Sequence, residues 1–461
     1  MEKDQLYPED FLRKMRKLIQ EEEYSLFIKA LAQPASVSIR LNPFKKTDCF
    51  KDLEQVPWCS EGYYLPERPV FTTDPIFQAG SYYVQEASSM FIEQVINSLH
   101  MKNKNLSVLD LSAAPGGKST HLLSLLSSDS LLVSNEVIRS RVNILEENLV
   151  KWGCSNYIVT NNDPADFTRL SDSFDIILVD APCSGEGMFR KDKEAPLQWS
   201  PDNINVCVSR QERILSNILP SLKEGGFLIY STCTWNEEEN ESNLRNILLK
   251  ENYSSLRIPL NPQWGIEESQ KVVNDKILYT YRFYPHKLKG EGFTISCIQK
   301  AGASENQHET KIKKSKLTLA SANDKRAVQK WISNPDNFEF IIINDHVFAI
   351  KKSYYNKFLH FKDNLYIKAA GLKMGKIIRN DLIPSHELAQ SIEISPTIPA
   401  IEVELKEAIN YLRKAEISIN TGNIQGWSIV KYKGLNLGWI KVLNNRINNY
   451  FPVEQRIRMQ A

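Results

Sequence analysis

The sequence predicts an α/β protein built around a doubly wound parallel sheet, and three observations lead to this fold class. Its 461 residues correspond to roughly three domains of ordinary size. Short apolar runs alternate with helical segments between residues 106 and 230, which is the pattern of consecutive βαβ units. A polar stretch then separates this region from a C-terminal part with hairpin patterns. We therefore expect a central doubly wound domain with smaller domains on both sides.

Residues 1–95 are predicted to form a small α/β domain. Apolar residues recur at helical spacing between Phe11 and Ile19, and the segment 36–43 then alternates polar and apolar residues like a strand. The first thirty residues carry charge throughout and lack the apolar stretch of a signal peptide. No window approaches the ~20 apolar residues of a membrane span. We therefore expect a cytoplasmic protein that does not contact a membrane.

Residues 96–300 are predicted to form the central domain. Five short apolar runs are typical of strands, and three longer segments between them have helical periodicity. The predicted strands are 106–111, 131–134, 157–160, 175–179 and 226–230, and the predicted helices are 118–126, 139–152 and 206–222. Doubly wound sheets bind ligands at the edge where the carboxyl ends of the strands lie. The residues directly after each strand are therefore the first candidates for function.

A change of composition marks the end of the central domain. The segment 301–316 has one large aliphatic residue, Ile312, and no aromatic residue, so we predict a linker there. Beyond it, residues 317–395 are predicted to form a small α/β domain. Residues 396–461 are predicted to form a β-rich domain, and each of these two regions contains one hairpin pattern.

The net charge of +2 conceals an uneven distribution. Residues 301–461 hold 24 Lys and Arg against 15 Asp and Glu, a balance of +9, which leaves −7 for the rest of the chain. Because neutralised phosphates drive nucleic-acid affinity, a basic C-terminal third favours a polyanionic partner. A basic surface that serves only solubility explains the same charge equally well.

The cysteines and histidines predict a reducing compartment without a metal centre. Seven cysteines contain no C-x-x-C pair, and an odd number without a signal peptide argues against a disulfide framework. The seven histidines are scattered along the chain, so we expect no zinc site and no other metal. A cysteine with a special role must therefore be recognised from its position and its reactivity.

A loop of small residues follows the first predicted strand. It consists of Ser112, Ala113, Ala114, Pro115, Gly116, Gly117 and Lys118. Small side chains let a ligand approach the backbone, and the following helix offers free N–H groups. The end of this loop resembles a Walker A motif, but Ser112 stands where that motif needs glycine and Pro115 interrupts it. The pattern therefore indicates a cofactor loop rather than an ATPase site, and no G-x-G-x-x-G motif is present.

Acidic residues follow the second and third predicted strands. Glu136 is placed to accept hydrogen bonds from both ribose hydroxyls of an adenosine. Asp163 is placed to pair with an adenine amino group. A helix cap is the simpler interpretation of each acid alone. Three such features after three successive strands nevertheless favour a nucleoside-containing cofactor.

Two cysteines follow the fourth and fifth predicted strands. Cys183 lies in the segment that begins at Asp180, and Cys233 lies in the sequence Ser-Thr-Cys-Thr at 231–234. A thiolate at this edge of the sheet is a natural nucleophile. The other five cysteines are interpreted as small buried hydrophobic residues, namely Cys49, Cys59, Cys154, Cys207 and Cys297.

The combination of these motifs resembles the Nol/Sun-type RNA (cytosine-5) methyltransferases. The motifs are Ala-Ala-Pro-Gly-Gly-Lys at 113–118, Asp-Ala-Pro-Cys-Ser-Gly at 180–185 and Ser-Thr-Cys-Thr at 231–234. The extension Gly-Glu-Gly-Met-Phe-Arg-Lys at 185–191 resembles the bacterial branch known as ribosomal RNA small-subunit methyltransferase F, as does the segment 371–375. One departure is Ser112, where family members often carry cysteine. That loop acts through its backbone, so we expect the departure to be harmless.

The resemblance implies a fold and a chemistry. It implies a Rossmann-like methyltransferase domain, an N-terminal RNA-binding helper domain and a C-terminal PUA-like RNA-binding domain. The implied cofactor is S-adenosyl-L-methionine, held by the loop 112–118, Glu136, Asp163 and Asp180. Cys233 would be the nucleophile, Cys183 would assist proton removal and release, and Asp180 would act on the cytosine ring. In DNA cytosine methyltransferases the Pro-Cys cysteine attacks instead, so the residues alone leave the two roles open.

The resemblance also implies the substrate, which is 16S ribosomal RNA, either free or within the small ribosomal subunit. Transfer RNA is an alternative substrate for the same chemistry. A non-catalytic RNA-binding factor for ribosome assembly is an alternative of another class, because fold alone does not prove activity. We expect the protein to be a monomer. Arg190 and Lys191 are candidates to hold the phosphate of the flipped nucleotide, and a solvated charged surface is the simpler interpretation of both.

Overall fold

The computed structural model describes residues 7–101, 104–302, 317–444 and 446–459. Most of the predicted linker, residues 303–316, therefore lies outside the described residues. Among the described helices, none combines the length and the apolar character needed to cross a lipid bilayer.

The N-terminal part consists of helices around a small antiparallel sheet with strand order β2-β1-β3. Its elements are α1 (Glu9–Leu18), α2 (Glu21–Leu31), β1 (Val37–Leu41), β2 (Gly62–Leu65), α3 (Pro75–Gln78), β3 (Tyr82–Val84) and α4 (Ile92–Ser98). The helical spacing seen in the sequence places Phe11 and Met15 on the buried side of α1. Asp74 caps α3 by accepting a hydrogen bond from the Ile76 N–H at 2.9 Å.

The central domain contains all five predicted strands, and the predicted α/β doubly wound fold is confirmed. Its elements are β4 (Ser107–Asp110), α5 (Gly117–Leu125), β5 (Leu131–Asn135), α6 (Arg139–Trp152), β6 (Tyr157–Thr160), β7 (Phe174–Asp180), α7 (Ala195–Gln198), α8 (Pro201–Ile218), β8 (Leu222–Thr232), α9 (Glu241–Leu248), β9 (Tyr253–Ser255), β10 (Glu267–Val273), β11 (Lys276–Phe283) and β12 (Phe293–Lys300). The parallel strands run in the order β8-β7-β4-β5-β6, and β10, β11 and β12 extend the sheet beyond β8 in antiparallel fashion. Near-continuous burial of the parallel strands explains why they read as apolar runs.

The C-terminal part forms two further sheets, and both predicted hairpins are present. Its elements are β13 (Thr318–Leu319), α10 (Ala322–Gln329), β14 (Phe338–Ile343), β15 (His346–Lys351), α11 (Tyr355–Asn364), β16 (Ile367–Ala370), β17 (Leu372–Ile378), β18 (Asp381–Pro384), α12 (His386–Gln390), β19 (Ala400–Glu402), α13 (Leu405–Arg413), β20 (Gly426–Tyr432), β21 (Leu435–Leu443) and β22 (Arg446–Asn449). The hairpins are β14–β15 and β20–β21. The last sheet has the strand order β19-β20-β21-β22.

One strand from the region after the linker belongs to the central sheet. β16 pairs antiparallel with β6, so that Ala370 lies opposite Ile158 at the edge of the sheet. Phe361 on α11 stacks on Phe174 of β7, with ring centroids 5.1 Å apart. These side chains belong to one continuous apolar core. The region 317–395 is therefore anchored in the central sheet, and its status as a separate domain stays a prediction.

Candidate active site

A cavity of about 180 Å³ opens where β4 and β7 end. Because β4 pairs with both β5 and β7, this position is the switch point of the doubly wound sheet, where such sheets bind ligands. Six predicted loop residues line the cavity: Ser112, Ala113, Ala114, Pro115, Gly117 and Lys118. Asp180 lines it too, and Tyr83, Gln85 and Glu86 of the N-terminal part form another wall. The structure thus brings the predicted loop and Asp180 together.

The N-terminal part fixes the turn from this loop into α5. Gly116 has a φ of 113°, which favours glycine. A Cβ atom at Gly117 would lie only 3.2 Å from the ring of Tyr83. The guanidinium of Arg40, which is 1% exposed, donates to the Thr120 hydroxyl at 2.7 Å and to the Gly117 carbonyl at 3.3 Å. A buried cation from β1 therefore holds the first turn of α5 in place.

Lys118 and Asp180 form an ion pair in the cavity. The Lys118 ammonium donates to Oδ2 of Asp180 at 2.8 Å, and the Ser231 hydroxyl donates to Oδ1 at 2.7 Å. Burial lowers the pKa of Lys118, but the charge and the hydrogen bond of Asp180 outweigh burial and raise it. Lys118 therefore stays charged and can donate hydrogen bonds in this polar site. The sequence analysis had assigned Lys118 only to cofactor binding.

Glu136 is buried at the end of β5, where the sequence analysis expected an acid that binds ribose. Its Oε1 accepts the Ile138 N–H at 2.8 Å, while its Oε2 lies 3.5 Å from Arg141 and has no hydrogen-bond donor among the described residues. A buried carboxylate oxygen without a donor is costly unless a ligand supplies one. The geometry therefore fits a hydroxyl-bearing ligand, and the ribose role stays a prediction.

Asp163 has the simpler role that the sequence analysis left open, since it caps a short helix. Its Oδ1 accepts the Ala165 N–H at 3.0 Å. Both carboxylate oxygens also accept hydrogen bonds from Arg213 at 3.1 Å, and these bonds lower the pKa of Asp163. The proposed contact with adenine stays a prediction.

Asp110 is a candidate residue that the sequence analysis missed. It is the last residue of β4 and is fully buried, and its Oδ2 accepts a hydrogen bond from the Ser119 hydroxyl at 2.7 Å. Burial raises the pKa of Asp110 to about 7, and its Oδ1 has no partner among the described residues. The signal was available in the sequence, because Asp110 stands directly before the loop that lines the cavity.

Cys183 and Cys233 meet at the ends of β7 and β8. Their sulfur atoms lie 3.2 Å apart, and the Cys233 N–H donates to the Cys183 sulfur at 3.3 Å. The hydrogen bond with Cys233, and then burial, raise the pKa of Cys183 well above that of an ordinary thiol. Two thiolates at this distance would repel each other strongly, so ionisation of one thiol opposes ionisation of the other.

The remaining cysteines follow the prediction with one exception. Cys59, Cys154, Cys207 and Cys297 are buried as expected, whereas Cys49 is exposed, so the buried interpretation was wrong for that residue. Cys49 lies in the surface segment between β1 and β2, where no apolar core covers it.

Cys59 also belongs to a buried cluster that the scattered histidines did not reveal. Oε2 of Glu93 lies 3.2 Å from the sulfur of Cys59 and 3.2 Å from Nε2 of His121. Burial, and then the positive charge of Arg40, lower the pKa of His121 to about 4. Arg40 therefore acts on the same cluster and opposes a second cation there. The expected absence of a metal stays a prediction.

Arg190 is not available to hold a phosphate. Its side chain is 7% exposed, lies 3.3 Å from the Glu291 carboxylate and donates to the Pro34 carbonyl at 2.7 Å. Neither interpretation of Arg190 from the sequence was right, because it forms a buried ion pair. Lys191 is exposed, in agreement with a solvated charge.

The N-terminal helices cover the two cysteine loops. Phe11 of α1 packs on Phe189 of the Cys183 loop at 4.9 Å between ring centroids. Phe27 of α2 packs edge-on against Trp235 of the Cys233 loop at 5.2 Å. The apolar faces of α1 and α2 therefore stabilise both loops that carry the thiols.

The comparisons with known proteins agree with this geometry. Residues 96–299 match the family model of the 16S rRNA methyltransferase RsmB/F. Residues 7–87 match the N-terminal domain of 16S rRNA methyltransferase RsmF, and residues 398–457 match the methyltransferase RsmF PUA domain. The fold and the site therefore define an RNA methyltransferase with a Rossmann-like catalytic domain and a C-terminal PUA domain.

Relatives of similar length narrow the family. The chain is 31% identical to the ribosomal RNA small subunit methyltransferase F of Shewanella baltica (strain OS185), and the match covers 92% of this chain and 91% of the relative. It is 30% identical to the corresponding protein of Aliivibrio fischeri (strain MJ11), with 93% of each chain covered. The chain belongs to the ribosomal RNA small subunit methyltransferase F family.

Solved structures support the fold. A methyltransferase homologue from Pyrococcus horikoshii is 30% identical with a TM-score of 0.54, covering 64% of this chain and 96% of its own. The structure of NSun6 from Pyrococcus horikoshii with SFG is 20% identical with a TM-score of 0.52, covering 65% of this chain and 99% of its own, and shows likeness of fold alone.

Proposed function

We propose that this protein transfers a methyl group from S-adenosyl-L-methionine to carbon-5 of a cytosine in 16S ribosomal RNA, through a covalent bond between Cys233 and the base. The observation that carries the proposal is the pair of thiols, 3.2 Å apart, at the ends of β7 and β8. The ion pair of Lys118 and Asp180 lies at the end of the same strand β7. The curated relatives bear the name of a ribosomal RNA methyltransferase.

Carbon-5 of cytosine is a poor nucleophile, and a thiol can change that. When the Cys233 thiolate forms a bond with carbon-6, the carbon-5–carbon-6 double bond becomes electron-rich at carbon-5 and can attack a methyl group. S-adenosyl-L-methionine supplies that methyl group as a sulfonium substituent. Protonation at ring nitrogen-3 would draw electrons from the ring during the attack, and the Lys118–Asp180 pair carries a proton on Nζ of Lys118.

Cys183 then serves as the base. Its raised pKa keeps its proton in place while Cys233 is the thiolate. Once the Cys233 sulfur is bonded to carbon, the neighbouring negative charge has gone and Cys183 gives up its proton to water more easily, which leaves a thiolate. It can then accept the carbon-5 proton, after which the carbon–sulfur bond breaks and the Cys233 thiolate is regenerated.

The cofactor is expected along the edge formed by β4, β5 and β6. The backbone of Ser112–Lys118 would hold its methionine part, Glu136 its ribose and Asp163 its adenine. Oε2 of Glu136 has an ion pair with Arg141 but no hydrogen-bond donor among the described residues, and this oxygen and the open cavity beside the loop support this placement. Asp180 borders the same cavity, and there it would lie between the cofactor and the base.

The experiment that tests the proposal compares Cys233→Ala with Cys183→Ala on 16S ribosomal RNA. We expect Cys233→Ala to bind the cofactor but to form no 5-methylcytosine. Cys183→Ala should accumulate a covalent RNA adduct, which a denaturing gel separates, because attack survives while release fails. An adduct formed by Cys233→Ala instead would exchange the two roles. Methylation of transfer RNA but not of ribosomal RNA would reject the ribosomal substrate. Absence of methylation by the parent and by every variant would reject the catalytic proposal.

A further inference from the structure

A buried glutamate on the Cys183 loop binds the backbone of the Cys233 loop. Glu186 stands three positions after Cys183 and is 1% exposed. Its Oε2 accepts the backbone N–H groups of Trp235 at 2.7 Å and of Asn236 at 3.2 Å. Its Oε1 accepts the indole N–H of Trp199 at 3.2 Å. The carboxylate therefore joins the two loops although it touches neither sulfur.

A second buried glutamate makes the same connection in the opposite direction. Glu239 stands six positions after Cys233 and is fully buried. Its Oε2 accepts the backbone N–H of Ser184, the residue next to Cys183, at 3.0 Å. The same oxygen accepts the Gln211 amide at 2.9 Å. Each thiol loop thus donates backbone hydrogen bonds to a carboxylate of the other loop.

Asn236 connects the two carboxylates. Its Nδ2 donates to Oε1 of Glu239 at 2.7 Å and to Oε1 of Glu186 at 3.1 Å, and its Oδ1 accepts the Glu239 N–H at 2.9 Å. Burying two carboxylates is unfavourable unless each receives several donors. A network with this many mutual donors fixes one arrangement of the chain.

We propose that Glu186 and Glu239 are positioning residues, which form a crossed carboxylate clamp that holds the Cys183 and Cys233 sulfurs at bonding distance before any substrate binds. Peptide N–H groups on both loops donate hydrogen bonds to these two carboxylates, which cannot move without exposing a buried charge. The clamp thereby sets the 3.2 Å separation on which the transfer of roles between the two thiols depends. The negative charge of Glu239 also contributes to the raised pKa of Cys183, after the effects of Cys233 and burial.

A trivalent arsenical tests the clamp without any methyl transfer. Phenylarsine oxide condenses with two neighbouring thiols, forming two arsenic–sulfur bonds and releasing one water molecule that carries the oxygen and both thiol protons. No oxidant is consumed, and the affinity depends on the distance between the thiols. We expect Glu239→Gln and Glu186→Gln to bind phenylarsine oxide about tenfold to a hundredfold more weakly than the parent, as for displacements near 1 Å of a preorganised pair.

Two comparisons make the result decisive. Cys183→Ala gives the baseline for a protein that lacks the pair, and Glu93→Gln removes a buried carboxylate that bonds to Cys59 and His121 instead. The proposal would be overturned if both clamp variants bound the arsenical as tightly as the parent. It would also be overturned if Glu93→Gln, at the same melting temperature as the clamp variants, lost as much arsenical affinity as they do. If Glu239→Gln does not fold, Glu239→Asp replaces it, because it keeps the charge and shortens the side chain by one carbon.

The inference rests on the proposed roles of the two cysteines, and the assays distinguish failure of the clamp from failure of the proposed function. If the clamp variants bind the arsenical weakly but methylate RNA normally, the clamp sets the distance between the thiols without affecting catalysis. That result would overturn the positioning role. In folded clamp variants we expect turnover to fall at least about tenfold with little change in RNA affinity, and covalent RNA adduct to accumulate. If the clamp variants lose arsenical affinity strongly while the parent forms no 5-methylcytosine and Cys183→Ala forms no RNA adduct, the clamp is supported and the proposed function is rejected.

Discussion

A chain that ends at Lys300 is expected to lose the methyltransferase fold together with the C-terminal domains. The cut removes β16, which leaves the β6 edge of the central sheet without its partner. It also removes large side chains that complete the core beneath the sheet. They are Tyr354, Phe358, Leu359, Phe361 and Leu365, each at most 7% exposed.

The size of the effect follows from burial. At about 1.5 kcal/mol for each large side chain, the lower end of the usual range, the five removed residues account for roughly 7.5 kcal/mol. The free energy of unfolding of a domain is about 5–15 kcal/mol, so this loss alone is comparable to the whole stability. Apolar surface on the central domain, including Phe174, becomes exposed in addition.

The assay is thermal unfolding by circular dichroism, with cofactor binding measured by calorimetry on the same samples. Two point variants calibrate it. Phe361→Ala should cost about 3–5 kcal/mol, since it empties a buried site stacked on Phe174. Tyr366→Ala, in the same segment but 63% exposed, should change stability by less than about 0.5 kcal/mol. A chain ending at Lys300 that melts cooperatively near the parent temperature and binds cofactor would refute this reasoning.

Three further outcomes are expected. Glu136→Ala should weaken binding of S-adenosyl-L-methionine at least about tenfold, because charged hydrogen bonds contribute about 1.5–3 kcal/mol, and unchanged calorimetric affinity would remove Glu136 from the site. Burial lowers the pKa of His386 to about 4. Between about pH 6.5 and pH 4 the unfolded chain therefore binds a proton at His386 that the folded chain does not bind. The free energy of unfolding should fall by up to about 3 kcal/mol as the pH is lowered over that interval. His386→Leu should flatten this part of the melting profile, and a profile as steep as the parent's would contradict the assignment. The exposed residues Lys406, Arg446 and Arg458 can be replaced by glutamine. The slope of log affinity for RNA against log salt concentration should then become shallower by about 0.7–0.9 for each phosphate that these side chains no longer neutralise. An unchanged slope would leave the basic C-terminal part with a solubility role.

Much of the catalytic domain could be predicted from the sequence because its signals are local. Buried parallel strands appear as apolar runs, and glycine at position 117 suits the close approach of the backbone to Tyr83. The positions of Asp180, Cys183 and Cys233 after consecutive strands predicted one shared edge of the sheet. Parallel pairing brings such residues together whatever the loops do, which is why these predictions needed no tertiary information.

The tertiary structure decided what depends on contacts between distant segments. Periodicity could not show that β16 joins the central sheet, because an edge strand is selected by the exposed edge of β6 and not by its own pattern. The charge of Arg190 is neutralised by Glu291, a residue about a hundred positions further along the chain. The sequence alone determined which elements and which chemical groups this protein has. Folding decided which of those groups are paired, because the free energy of a buried charge is set by its nearest neighbours in space.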